Sequence, residues 1–174
     1  MIEAVTASVK NEVKASQMTV DGSLADIPGI MFVDHVAIAV RRGELEGQVN
    51  AYELLGFRVI HQEDVLGSDQ VREVLLQIGE GPNLIQLLEP LNTDSPVQKT
   101  IEKNCGRGGL AHVAFRVKDA EHAFDAMREK GFRIIDPAPR KGSRGTTVFF
   151  VHPKSKEDSP FGILIEIVEA PENK

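Results

Sequence analysis

A chain of 174 residues, 41% of them hydrophobic, can bury one good core or two small ones that share an interface. Its formal charge of −6 argues against nucleic acid and anionic membranes as general partners, and no apolar run approaches the length that spans a bilayer. The single cysteine, Cys105, rules out an intrachain disulfide and suits a reducing compartment. The N-terminus matches neither a secretory nor a transit signal, so the expected location is cytoplasmic.

Along the chain, Ile2, Val5, Val9 and Val13 recur at helical spacing before the turn-rich "DGSLADIPG", which makes residues 1–30 an extension carrying a helix. A strand is expected over 33–40, then a helix over 44–55 stopped by Gly56 in "LLGFRVI". Further apolar strands follow, and "LIQLLEP" at 84–90 closes a first module of about 31–91. The polar connector 92–109 holds a short helix between Pro96 and Lys103. A second module, about 110–170, repeats the order: strand 110–117, helix 119–130 stopped by Gly131 in "EKGFRII", more strands, and the closing "LIEIVEAP". A glycine at each helix end is the residue that most readily takes the left-handed turn into a new strand. The expected fold is therefore α+β. Residues 31–174 form one domain of two tandem β-α-β-β-β modules about a pseudo-twofold axis, making a curved mixed sheet.

The repeat also places chemistry. "DHVAIAV" at 34–40 returns as "AHVAFRV" at 111–117, so a histidine enters an apolar strand twice, as His35 and His112. Strand alternation puts His35 with Ala37 and Ala39, and His112 with Ala114 and Arg116, on the concave face. Those alanines are expected to leave open space. Gln86 and Glu166 occupy equivalent positions in the closing strands. A lone histidine on such a strand is more often a hydrogen-bonded core residue than a ligand. A carboxylate inside "ILIEIV", however, is costly to bury unpaired, and all four residues fall at repeat-equivalent positions. The set of two imidazoles, an amide oxygen and a carboxylate suits a borderline divalent ion, with two coordination positions left for a substrate. His61, His122 and His152 match no such pattern.

These motifs, with "DQVREVLLQIG", "KGSRGTTVFFVHPKS" and "GILIEIVE", resemble the vicinal oxygen chelate (glyoxalase-fold) superfamily, and within it the methylmalonyl-CoA epimerases. The resemblance runs from about Val33 to Glu169 and leaves out the first thirty residues. It implies the metal ligands His35, Gln86, His112 and Glu166, and a divalent ion, Co²⁺ foremost with Mn²⁺, Ni²⁺ or Zn²⁺ as alternatives. It implies an enzyme, an isomerase that epimerises C2 of an acyl-CoA through a metal-stabilised enolate, in propionate metabolism and as a homodimer. Glu73 read alone is a surface residue paired with a neighbouring strand; the resemblance makes it the base on one face, with Glu166 or a bound water the candidate for the other. The basic loop offers Ser143, Arg144 and Lys154 to CoA phosphates, along with Arg140, Lys141 and Lys156; a solvated surface loop reads equally well. Three other readings stay open: an epimerase of a longer alkylmalonyl-CoA, a glyoxalase-type lyase or isomerase, and a non-catalytic small-molecule binding protein of the same fold.

Overall fold

A computed structural model of the chain describes residues 29–155 and 161–171. The helix expected within residues 1–30 lies outside these residues, as does Lys156. The elements are β1 (Phe32–Ala39), α1 (Leu45–Leu54), β2 (Arg58–Val65), β3 (Val71–Gln77), β4 (Leu84–Pro90), α2 (Pro96–Lys103), β5 (Gly109–Val117), α3 (Ala120–Glu129), β6 (Arg140–Lys141), β7 (Thr147–Val151) and β8 (Leu164–Glu169).

All eight strands belong to one mixed sheet in the order β2-β3-β4-β1-β5-β8-β7-β6. The repeat is visible in that order. β1 and β5 pair antiparallel at the centre, and each pairs in parallel with its own closing strand, β4 or β8. Register is equivalent on the two sides: Ala37 faces Gln86 and Ala114 faces Glu166.

Helices α1 and α3 cover the convex side for the reason the apolar pattern gives. Val40, Val74, Leu76 and Leu87 pack with Leu45 of α1, while Phe149, Ile165 and Ile167 pack with Ala123, Phe124 and Met127 of α3. Each of these two helices starts against a glutamate of its module's closing strand. Gly43 N donates to Glu89 Oε1 at 2.6 Å, and Ala120 N donates to Glu169 Oε2 at 2.7 Å. A carboxylate there satisfies an orphan N–H and meets the positive end of the helix dipole. Each helix also stops alike: Gly56 and Gly131 have φ of 93° and 78°, and Phe57 N and Phe132 N donate back to Tyr52 O and Met127 O.

The repeat breaks at one element. The second module's counterpart of β2 is reduced to an isolated bridge, Ile134 to Val151, and the two-residue β6. Pro137 and Pro139 lie between these fragments, and neither can donate to a strand ladder.

Candidate active site

A cavity of about 300 Å³ opens on the concave side, lined among others by Glu73, Gln86 and Leu88 of the first module and His112, Phe150 and Glu166 of the second. Val97 of α2 also lines it. The space expected beside the alanines is filled instead. Ala37 and Ala39 pack under Val97 and Ile101 of α2, and Ala114 packs with Val148 and Val168. Small side chains here admit neighbouring elements, and the cavity lies beyond them.

Because β1 and β5 are antiparallel neighbours, His35 and His112 sit diagonally across one seam. Their Nε2 atoms are 3.2 Å apart, and Glu166 Oε2 lies 3.0 Å from each. All three residues are buried. Gln86 lines the same cavity; its Nε2 donates to Glu73 Oε2 at 2.9 Å, which leaves its Oε1 buried without a hydrogen-bond partner. Two imidazole nitrogens and a carboxylate oxygen converging on one point, beside an orphaned amide oxygen, fit a divalent cation in donor type and placement.

The electrostatics explain how the triad is held. Asp34 Oδ1 is 2.9 Å from His35 Nδ1, and Arg116 Nε donates to Asp34 Oδ2 at 2.7 Å. An acceptor at Nδ1 directs the other nitrogen, Nε2, toward a ligand role. Burial works against protonating His35, but the hydrogen bonds and charges of Asp34 and Glu166 prevail and push it up to about 9. Burial would raise Glu166; hydrogen bonds from His112 and His35 outweigh it and hold the carboxyl well below the usual carboxylate range. Glu73 moves the other way. Burial pushes it up, only partly offset by the Ser143 hydroxyl.

The loop residues separate. Ser143 lines the cavity, whereas Arg144 does not. Arg144 N donates to Glu63 Oε1 at 3.1 Å, and its guanidinium lies 3.8 Å from Asp34 Oδ1. Arg140 does line the cavity, but its charge is taken by Asp69 at 2.9 and 3.1 Å and by Asp136 at 3.0 Å. Lys154 is exposed and away from the lining. Three groups escaped the sequence reading: Asp34, its partner Arg116, and His61, whose Nε2 is 3.8 Å from Glu73 Oε1. The signals available were an aspartate inside an apolar strand and an arginine two residues after Ala114.

The sequence profile of the Glyoxalase/Bleomycin resistance protein/Dioxygenase superfamily matches residues 34–150. The chain is 32% identical over 157 residues to the mitochondrial methylmalonyl-CoA epimerase of Dictyostelium discoideum, covering 85% of this chain and 84% of that protein. It is 34% identical over 138 residues to the ethylmalonyl-CoA/methylmalonyl-CoA epimerase of Cereibacter sphaeroides, covering 78% of this chain and 95% of that protein. A variant of Streptomyces coelicolor methylmalonyl-CoA epimerase, solved in complex with 2-nitronate-propionyl-CoA, superposes with a TM-score of 0.71 at 34% identity, covering 81% and 98% of the two chains.

Proposed function

The chain belongs to the Glyoxalase/Bleomycin resistance protein/Dioxygenase superfamily, and from that membership we propose that it is a methylmalonyl-CoA epimerase, inverting C2 by taking a proton from one face and returning one to the other. One observation carries this reading. Glu73, a buried carboxylate with Oε1 unpartnered, lines one cavity with Gln86, His112 and Glu166, three of the four groups of a donor set fit for a divalent cation.

The proton at C2 lies between a thioester carbonyl and a carboxylate, so its removal gathers negative charge beside charge already present. Bound by His35, Gln86, His112 and Glu166, a divalent ion supplies Lewis acidity at those oxygens; Co²⁺ is the foremost candidate, with Mn²⁺, Ni²⁺ and Zn²⁺ behind it. Glu73 takes the C2 proton, with Gln86 Nε2 fixing its other oxygen at 2.9 Å. Leu88, Val148 and Phe150 form the apolar wall that keeps water from the reacting carbon. Glu166, from the other module, is the carrier for the opposite face. Its carboxyl is held ionised by His112 and His35, so the proton it returns must first reach it from bulk water. Ser143, which lines the cavity, and the exposed Lys154 are the groups we assign to CoA. Arg144 reaches CoA only by leaving Asp34 and Glu63.

Among the described residues no helix is long and apolar enough to cross a membrane. We place the enzyme in the cytoplasm, in propionate metabolism, as a homodimer; the exposed Leu54 and Leu55 at the end of α1 supply apolar surface for pairing.

The test is mass spectrometry of methylmalonyl-CoA in D₂O with metal-loaded protein, chelated protein and Glu73→Gln. Deuterium uptake at C2 that disappears on chelation and in the variant is expected. Uptake no faster than the spontaneous rate with metal bound would end this assignment. Ethylmalonyl-CoA and a glutathione hemithioacetal, run alongside, separate a broader epimerase and a glyoxalase-type enzyme from it.

A further inference from the structure

β2 and β3 carry a second cluster. Glu63 and Glu73 are directly paired across these strands, an arrangement that two carboxylates disfavour unless positive charge lies between them. His61 lies on the same face of β2, two residues before Glu63. Its Nε2 is 3.5 Å from Glu63 Oε1 and 3.8 Å from Glu73 Oε1, too far for hydrogen bonds to either. The three donor atoms nonetheless lie within 4.8 Å of one another. His61 Nε2 and Glu73 Oε1 are both shielded from solvent and have no hydrogen-bond partner, and Glu73 is only 2% exposed. Two orphaned buried atoms thus face one point, which a third ligand also borders. Buried polar atoms of this kind call for an occupant.

We propose that His61, Glu63 and Glu73 form a second divalent-cation site, separate from the cluster of His35, Gln86, His112 and Glu166, and suited to a borderline transition-metal ion such as Zn²⁺. One imidazole and two carboxylates match that class of ion, with an open fourth position. The site is the weaker of the two. Arg144 N already donates to Glu63 Oε1, and the Arg144 charge reaches Glu73.

Filling this site removes the free oxygen of Glu73. Metal should therefore support turnover at low concentration and suppress it at higher concentration. That consequence rests on the proposed role of Glu73 as base; the binding does not.

Equilibrium dialysis of the metal-free full chain against Zn²⁺ tests the site directly. The wild type should take up two equivalents of Zn²⁺, one tighter than the other. His61→Ala should lose the weaker equivalent alone, and His35→Ala the tighter alone. Glu63→Ala, on an edge strand, repeats the test should His61→Ala fail to fold. A single equivalent in the wild type, or a weaker equivalent that persists in the His61 and Glu63 variants, overturns the proposal. Deuterium exchange into methylmalonyl-CoA is then read across the same Zn²⁺ range. The wild type should lose rate as the second equivalent binds, and His61→Ala should not. Two equivalents with no such loss of rate would leave the site standing and remove Glu73 as the base.

Discussion

Asp34 accepts a hydrogen bond from the ring of the residue beside it, its Oδ1 2.9 Å from His35 Nδ1. Neighbours on a strand ordinarily point to opposite faces. The β1–β5 register is interrupted between Val33 and His35, and such a bulge re-aims a side chain. Arg116 holds the other carboxylate oxygen, so Asp34 is fixed from two sides while it fixes His35. Asp34→Asn keeps the shape and removes the charge. Divalent affinity should fall about 10–100-fold, as for other partners of ligating histidines. Competition with a chromophoric chelator measures it, and an unchanged affinity would take Asp34 out of the site.

Glu73 sets the acid side of the activity profile. Burial pushes its carboxyl above the ordinary 4.5; the Ser143 hydroxyl pulls back, Glu63 adds to the rise, and Arg144 and His61 oppose it. A base works ionised, so falling pH protonates Glu73 and removes activity. The acid limb of kcat/KM should therefore lie above 4.5. Glu73→Gln should cost about 10²–10⁴ in kcat and abolish the limb, with no loss of urea resistance because a buried charge has been removed. A limb at or below the ordinary value would assign the proton transfer to another group.

Much of this site is legible in the sequence itself. His35 and His112, Gln86 and Glu166 stand out because a repeat displays each position twice, and alternation then assigns the faces. Gly56, Gly131 and the short helix after Ser95 were equally legible, since caps and stops are local chemistry. Long-range pairing was not. Asp34 turns inward through a bulge, which one strand's alternation cannot reveal. Arg140 meets Asp69 from the other module, so a loop that reads as basic presents a neutralised arginine. The alanines signalled room, and only the tertiary fold shows α2 occupying part of it.

Ser95 fastens α2 in that place. Its buried Oγ accepts from Val97 N at 3.2 Å and donates to Asp69 O at 3.0 Å. Ser95→Ala leaves both groups unpaired, a cost of about 1–2 kcal/mol. The urea midpoint should drop accordingly. Metal affinity should hold, because the four ligands stand on β1, β4, β5 and β8 and α2 supplies none of them. A matching fall in affinity would show that α2 also sets the ligand geometry.

Gly108 bears on the seam itself. A Cβ there would strike the carbonyl oxygen of Ala39, a backbone atom. That oxygen has nowhere to go, since Ala39 is paired with Leu88 on one side and Gly109 on the other. At Gly142 the corresponding clashes, 2.6 Å from Thr146 Oγ1 and 2.8 Å from Val148 Cγ1, fall on side chains and not on backbone. Gly108→Ala should therefore be the more damaging change, costing about 1–3 kcal/mol. In a chain of this length each kcal/mol lowers Tm by about 2–4 °C. Because β1 and β5 carry both histidines, the same variant should weaken divalent binding, whereas Gly142→Ala should leave it intact. Thermal unfolding with and without Co²⁺ reads both effects. Equal losses in the two variants would mean that the β1–β5 seam yields as readily as a loop, and that the spacing of His35 and His112 is not fixed by it.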